Sequence, residues 1–577
     1  MLMTRVTRRA LATLTVLVFV CTLFLGVPGP VRAAAANIYI GFNAHTSGGS
    51  CADPDFTADG VDDSAQIALA VAATNTGGTL HFCPGTYDID ATINLSGTLI
   101  TLQGASAVTT ILNGGDTTQI LTSSDAITVS DLTFQDGYGA NGGAIFTLGT
   151  ATATASTFTG NTATNYGGAI RSYATATVTG STFNNNTAGQ YGGAILAGTV
   201  TVTSSTFTDN SATSYGGAIR ADNATVASST FTGNSSVNGG AIAASATITN
   251  STFNNNSASV GGAINASTAT VTTSTFTSNS ADIQGGAINA STATVTTSTF
   301  TYNTTDYSGG AIYAPTAAVT NSTFIGNDAN VGGAIIATTA SITASIFTDN
   351  DATFVGGAIS APTATVSTSA FTNNSAACYG GAIHAGTATV ASSTFTNNGA
   401  DIVGGAINAY IIASISSSTF TNNTSYMGGA IYTPNAAVTA NTFTDNDAEF
   451  LGGAIYAWSS ATLDGSSFNG NDAGSFGGAI YASTATISRS RFSRNSAGQH
   501  GGAVVLNSPT HQDLRRLRGN TFSRNTAASG GAFTLGGCVA PSRGEVAIVE
   551  RANRFSGNRA TEQRRTRNVE VRSGDCA

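Results

Sequence analysis

The chain has 577 residues, of which 9% are charged, and it carries 68 glycines, six cysteines and a formal net charge of −9 at pH 7. Residues 33–488 contain 24 acidic side chains and two arginines, a net charge of 2 − 24 = −22, whereas residues 489–577 carry 15 arginines and six acidic side chains, a net charge of 15 − 6 = +9 that marks a distinct end-piece. No nucleic-acid partner is expected, because an exported protein meets little nucleic acid. No stretch after residue 36 approaches the roughly 18 apolar residues of a membrane-spanning helix, so no transmembrane segment is expected in the mature chain.

The N-terminal residues 1–36 have the pattern of an export signal. Three arginines precede residue 10, an apolar run covers 10–27, and small residues at 33–36 offer cleavage sites. We therefore predict a signal peptide over 1–36 and an exported protein, located outside the cell or on its surface.

Residues 37–90 are predicted to form an N-terminal cap. The segment 62–73 (DDSAQIALAVAA) is typical of a short helix that covers the open end of a repeat structure. Cys51 and Cys83 lie in this cap, whereas Cys538 and Cys576 lie in the Arg-rich segment 536–577, predicted to be a C-terminal cap. An oxidising compartment favours one disulfide at each end. A zinc site made by Cys51 and Cys83 with His45 and His81 is the alternative. No cofactor or other metal is expected.

Two motifs recur in fixed phase between the caps. Gly-Gly-Ala occurs seventeen times, at spacings of 22 to 25 residues except for the last, which is 29, and Phe-x-x-Asn also occurs seventeen times, in step with it. A repeat this regular predicts a solenoid, in which each unit buries its apolar face against its neighbours. The first glycines of the triplets are at 142, 167, 192, 216, 239, 261, 285, 309, 332, 356, 380, 404, 428, 452, 477, 501 and 530.

One repeat, GGAIRADNATVASSTFTGNSSV from Gly216, shows three extended stretches that each alternate with a period of two. Ile219, Val226 and Phe231 point inward on successive stretches. Three strands in a turn of about 24 residues predict an all-β fold, a right-handed parallel β-helix of about 17–20 rungs over residues 91–535. Like residues then form ladders, with stacked phenylalanine rings and hydrogen-bonded asparagine amides inside.

Outward positions are the candidate binding residues. Aromatic rings with a polar edge stack on sugars or on a partner protein, so tyrosines at equivalent positions on successive rungs predict a ligand-binding stripe. Its members precede the Gly-Gly pair or follow the isoleucine after it: Tyr166, Tyr191, Tyr215, Tyr313, Tyr432, Tyr456 and Tyr481.

No catalytic residues are predicted, because the repeats contain no lysine and their acidic residues are scattered. Arg220 is expected to form a surface ion pair with Asp222. Thr-x-Thr pairs such as Thr177/Thr179 and Thr247/Thr249 indicate a flat threonine array, a pattern typical of some ice-binding solenoids.

Both motifs, over about 142–535, resemble the repeats of the chlamydial polymorphic outer membrane proteins. The segment DGVDDSAQIALAVAATNTGGTLHFCPGTYDI is similar to the entry cap of pectate-lyase-like β-helix proteins. The first resemblance implies a surface adhesin. The translocating β-barrel that ends those proteins is not expected in the Arg-rich segment 533–577.

The hypothesis from sequence is therefore a secreted or cell-surface β-helix rod, monomeric, with a structural or adhesive function. Its partner would be an extracellular glycan or a surface protein. The alternative is a polysaccharide lyase or hydrolase of the same fold, and a minor alternative is an ice-binding solenoid. An enzyme should concentrate acid and base groups on one or two rungs, whereas an adhesin spreads its contacts along the rod.

Overall fold

The computed structural model describes residues 35–44, 48–536, 543–561 and 568–571. Most of the predicted signal peptide, His45, Cys538 and Cys576 lie outside the described residues, so the C-terminal disulfide stays a prediction. The described part is a right-handed parallel β-helix made of three long sheets with 30, 20 and 18 strands, which we call sheets A, B and C. The predicted fold class is confirmed.

Each turn passes through sheets A, B and C in that order. In the repeat that begins at Gly216, Ile219–Ala227 lies in sheet A, Thr230–Thr232 in sheet B and Ser235–Asn238 in sheet C. Every strand pairs in parallel with its equivalent one turn later, as Phe231 pairs with Phe253. Sheet B accordingly runs as an open ladder from Gly85–Asp88 to Arg554–Ser556.

The predicted division of a turn into strands was wrong in one respect. The first two predicted stretches belong to the same sheet, as a single strand in Ile219–Ala227 or as two in Ile195–Leu196 and Thr199–Thr203. The third sheet is instead made by the residues after the asparagine. The reason is where the chain can bend: the left-handed residues of this turn are Ser228, Gly233 and Gly239, with φ of 50°, 66° and 66°, and the backbone between the first two stretches stays extended.

The phenylalanine column fills the core as predicted. Its rings are buried and stack nearly face to face, with centroids 4.8 Å apart between Phe253 and Phe276 and again between Phe276 and Phe300. Burying one such ring stabilises the fold by about 1.5–3 kcal/mol. The isoleucine that follows the first fifteen Gly-Gly-Ala triplets, such as Ile264, and the apolar residue of the second stretch, such as Val271, are buried beside it.

Two buried polar ladders satisfy the backbone at the bends. The Asn279 amide donates to the Asn303 carbonyl oxygen Oδ1 at 3.0 Å and to the Phe253 backbone oxygen at 3.0 Å, which confirms the predicted asparagine ladder. A serine ladder, which was not predicted, lies at the other bend. There the Ser274 amide donates to Ser298 Oγ at 3.1 Å, and Ser274 Oγ donates to the backbone oxygen of Thr272 at 2.8 Å.

The N-terminal end is closed by helix α1, Ser64–Ala73, as predicted, with Ile67, Ala70 and Val71 buried. The strands Ala35–Gly41 and Thr74–Phe82 pair beneath it. Cys51 and Cys83 are joined by a disulfide. The zinc alternative is therefore wrong, because both thiolates that it requires are consumed. The entry strands are Phe56–Thr57, Gly85–Asp88, Ile93–Asn94, Thr101–Gly104, Thr110–Asn113, Leu121–Ser123, Ile127–Ser130 and Thr133–Gln135.

Near the other end, helix α2, His511–Arg516, occupies the long 29-residue interval, and helix α3, Arg543–Ala552, precedes the last turn. The final strands continue all three sheets: Arg554–Ser556 in sheet B, Arg559–Ala560 in sheet C and Val569–Val571 in sheet A. No helix among the described residues is long and apolar enough to cross a membrane.

Candidate functional site

Three columns of outward residues run along the rod beside the Gly-Gly corner, and we call the surface that they form the axial groove. One wall is formed by the residues that directly precede each Gly-Gly pair. The floor is formed by the residues that directly follow the isoleucine, and the opposite wall by the residues two positions after those floor residues. In the repeat at Gly216 these are Tyr215, Arg220 and Asp222, which line a cavity of about 410 Å³. The corner admits only glycine: a Cβ on Gly217 would lie 2.1 Å from the Gly240 carbonyl oxygen.

The N-terminal part of the groove carries four tyrosines. The rings of Tyr166 and Tyr191 stack with centroids 5.2 Å apart, and the Tyr215 ring meets Tyr191 edge-on at 5.5 Å. The opposite wall contributes Tyr173, whose ring lies 4.0 Å from Arg171 Cζ. A second cavity of about 370 Å³ joins the first one here. The structure thus brings three predicted tyrosines together and adds one that the repeat pattern did not single out.

Arg171 and Arg220 form part of the floor of this same segment. Nη1 of Arg171 donates to the backbone oxygens of Ser172 at 2.7 Å and Leu196 at 3.4 Å. Nη1 of Arg220 donates likewise to Ala221 and, at 3.2 Å, to Ala243. The predicted ion pair was wrong, because the Arg220 guanidinium turns to these carbonyls and no contact within 4.0 Å joins it to Asp222. Only Nη1 of each guanidinium has a partner among the described residues.

The C-terminal part of the groove carries a second aromatic ladder. Ring centroids are 5.1 Å apart from Tyr432 to Tyr456 and 5.3 Å from Tyr456 to Tyr481. Phe476 on the wall lies 6.4 Å from the Tyr481 ring. Burial, with Tyr432 and Tyr481 on either side, raises the pKa of the Tyr456 hydroxyl to about 12. These phenols are consequently protonated hydrogen-bond donors at neutral pH.

His384 lies on the groove floor between these two segments. Its ring is flanked by Tyr379 at 6.1 Å and Tyr410 at 5.5 Å, and its Nδ1 is 3.1 Å from Asn408 Nδ2. Burial lowers the pKa of the His384 imidazole to about 4. The ring is therefore neutral at pH 7, and Nδ1 accepts a hydrogen bond from the Asn408 amide.

We expect His384 to make the rod sensitive to acid. Its folded pKa of about 4 lies below the ordinary 6.5 of an unfolded chain, so the unfolded state binds the proton first as pH falls. The contribution of neutral His384 to the free energy of unfolding is at most about 3 kcal/mol. It is complete above pH 6.5 and is lost as pH falls from 6.5 to 4. Thermal midpoints measured across this range should fall less in His384→Gln than in the unsubstituted protein, and equal slopes would contradict the assignment.

Tyr313 is set apart from both ladders, between Asn289 and Ile336 on the groove floor. The threonine array also assembles on sheet A, where Thr177 pairs with Thr201 and Thr179 with Thr203. Ala227 and Ala318 interrupt its two columns. Ice binding by this array stays a prediction.

The outer face of sheet C holds a further cavity, of about 530 Å³, lined by small residues and by Asp351, Asp401, Asp447 and Glu449. Burial and the nearby Asp472 and Glu449 raise the pKa of Asp447. Within the described residues, no three histidine, cysteine or acidic side chains are grouped closely enough to hold a metal ion.

Comparison with known protein families finds one repeat. The Chlamydia polymorphic membrane protein repeat matches eight segments of this chain: 155–173, 180–198, 204–222, 228–245, 273–291, 297–315, 368–386 and 417–434. The resemblance inferred from the motifs is thereby confirmed. No protein of curated function matches the sequence.

The chain is similar to several solved structures, among them the following three. The PL6 family alginate lyase AlyGC is 11% identical with a TM-score of 0.29, and the match covers 87% of this chain and 94% of the lyase. The catalytic unit of a GH87 α-1,3-glucanase from Streptomyces thermodiastaticus is 14% identical with a TM-score of 0.18, covering 79% of this chain and 64% of that one. The A-module of the Azotobacter vinelandii mannuronan C-5 epimerase AlgE6 is 12% identical with a TM-score of 0.16, covering 76% and 97%.

Proposed function

We propose that this chain, which carries Chlamydia polymorphic membrane protein repeats, is an exported surface rod that adheres by holding an extended glycan in its axial groove. The observation that carries the proposal is the pair of tyrosine ladders on one groove, with rings 5.1 to 5.5 Å apart. Tyrosine offers an apolar face for a sugar ring and a hydroxyl for its polar edge. One tyrosine per rung matches one sugar per rung along an extended chain.

The domain division follows from the same proposal. Residues 1–36 are the signal peptide, 37–90 the N-terminal cap, 91–535 the glycan-binding rod and 536–577 the C-terminal cap. The disulfide between Cys51 and Cys83 suits an oxidising compartment outside the cytoplasm.

Adhesion is favoured over catalysis by the way the groove distributes its groups. His384, on the groove floor, has its Nδ1 hydrogen-bonded to the Asn408 amide, and among the described residues no carboxylate contacts its ring. At the C-terminal end His500 Nδ1 lies 3.0 Å from Glu570 Oε2, but that carboxylate is only 6% exposed and also accepts from Thr534 at 3.1 Å. That pair holds the last strand of sheet A onto the rod.

A glycan-binding assay with tyrosine variants tests the proposal. The chain from residue 37 to 577 is expected to bind members of a polysaccharide array, and Tyr191→Ala and Tyr456→Ala should each weaken binding about tenfold, about 1.4 kcal/mol. The matched control is Tyr302→Ala, because Tyr302 is 60% exposed and lies at a bend away from the groove.

Two results would overturn the proposal. If both groove variants bound glycan with unchanged affinity, the tyrosine ladders would not be part of the binding site. Release of reducing or unsaturated sugar ends during incubation would favour the polysaccharide lyase or hydrolase alternative instead.

A further inference from the structure

We infer that the N-terminal part of the axial groove is a subsite for an acidic polysaccharide in which a uronate alternates with an uncharged sugar. The subsite is formed by Arg171, Leu196 and Arg220 on the floor, with Tyr191 and Tyr215 on the wall. The inference rests on the proposed function and names the class of glycan that this segment takes.

Charge singles out this segment of the rod. Arg171 and Arg220 are the two arginines of 33–488, a region with no lysine and 24 acidic residues, and both occupy the same floor column of one groove. Their position indicates an anionic group on the ligand, and a carboxylate is the anion that a planar guanidinium binds with two parallel hydrogen bonds.

Both guanidiniums are held in place and retain free donors. Nη1 of each is anchored on backbone oxygens, and the Arg171 guanidinium also lies over the Tyr173 ring at 4.0 Å. Nε and Nη2 have no partner among the described residues. A ligand carboxylate therefore finds donors whose orientation is already fixed, so less conformational entropy is lost on binding.

The spacing of the arginines sets the charge pattern of the ligand. Arg171 pairs with Leu196 and Leu196 with Arg220, so the two arginines are two rungs apart, about 9.6 Å. That separation corresponds to one extended disaccharide. A charged sugar over each arginine leaves the sugar between them over apolar Leu196, where a carboxylate would lose its hydration without gaining a partner.

Asp222 further limits the charge density of the ligand. Its side chain lines the same cavity as Arg220 without pairing with it. A polymer with a carboxylate or sulfate on every sugar would place an anion over Leu196, one rung from Asp222 and without a cation of its own, and be repelled. With one charge per disaccharide, the charge nearest Asp222 is compensated by Arg220.

Binding measurements with defined oligosaccharides test the inference. Hyaluronan oligosaccharides have a uronate on every second sugar, polygalacturonate oligosaccharides have one on every sugar, and chitin oligosaccharides have none. The chain 37–577 should prefer hyaluronan, with an affinity that falls as salt rises. Arg171→Gln and Arg220→Gln should each reduce hyaluronan affinity about tenfold and leave chitin binding unchanged. The control Arg494→Gln, an exposed cation at a bend outside the groove, should change neither.

A gain-of-function variant tests the spacing itself. Leu196→Arg places a third cation on the middle rung and should shift the preference toward polygalacturonate. The inference would be overturned if both glutamine variants bound hyaluronan as well as the unsubstituted protein does. If Tyr191→Ala still weakened chitin binding in that case, the proposed function would stand. If the unsubstituted protein preferred polygalacturonate, the inference that charged and uncharged sugars alternate in the ligand would be overturned. Binding of no glycan at all would overturn both.

Discussion

Gly286→Ala is expected to disrupt the β-helix around its own rung. An added Cβ would lie 2.0 Å from the Gly310 carbonyl oxygen and 2.4 Å from the Thr304 carbonyl oxygen, both of which belong to the next turn. Neither oxygen can move without breaking parallel pairing, so the methyl group forces two turns apart. We expect a loss of at least 3 kcal/mol, beyond ordinary overpacking of a side-chain core.

The matched control for this substitution is Gly399→Ala. Gly399 lies in a strand of sheet C, and the only atom near an added Cβ is Thr424 Oγ1 at 3.4 Å. Its thermal midpoint should stay close to that of the unsubstituted protein, whereas Gly286→Ala should lower the midpoint by several degrees. In a repeat protein the damage is local, so faster amide hydrogen exchange should be confined to the turns near 262–332. Equal thermal midpoints for the two variants would contradict the claim that the corner at Gly286 has no room for a Cβ.

Asn279→Ala is expected to have the second large effect, because four hydrogen bonds meet at this buried amide. The side chain donates to Asn303 Oδ1 and to the Phe253 backbone oxygen, and its own Oδ1 accepts from Asn256 N at 3.1 Å and Asn256 Nδ2 at 2.9 Å. Alanine removes all four bonds and leaves the Asn256 backbone N–H buried without its partner, at about 1–3 kcal/mol, whereas Asn303 Oδ1 keeps the bond from the backbone N–H of residue 279 at 3.1 Å. We expect a total loss of about 3–5 kcal/mol after local relaxation.

Asn254→Ala is the control for the ladder. Asn254 is half-buried on the outward side of a sheet B strand in the neighbouring turn, so its loss leaves no ladder partner unpaired. Denaturant unfolding of both variants should show a large loss for Asn279→Ala and one within about 0.5 kcal/mol for Asn254→Ala. Similar losses would mean that the ladder contributes no more than a surface amide.

The repeat chemistry explains why the fold was predictable. Phe276, Asn279 and Ile264 each have equivalents in the other repeats, about 24 residues apart. In a solenoid such a regular spacing places like residues in one column. The serine ladder was missed because serine is abundant at outward positions too, so Ser274 does not stand out from its neighbours in the sequence.

The candidate site was only partly predictable, as the two arginines and the tyrosines show. Arg171 and Tyr191 are chemically conspicuous in the sequence, but neither strand alternation nor spacing shows that their side chains border a common groove. Tyr410, which packs on His384 at 5.5 Å, stands in the same wall column as Tyr173 and Asp222, but the residue type changes along that column, so Tyr410 carried no signal.

By itself the sequence determined the parallel β-helix, its handedness and the identity of its stacked columns, because these depend on residues one repeat apart and on the fixed distance between strands. Only the tertiary structure decided where each turn bends and therefore which outward columns face one another. The left-handed glycine at each corner, such as Gly216 with φ of 65°, folds sheet C toward sheet A. That angle brings Tyr215 and Arg220 onto one groove, and an angle between sheets is a property of backbone torsions and packing that periodicity does not encode.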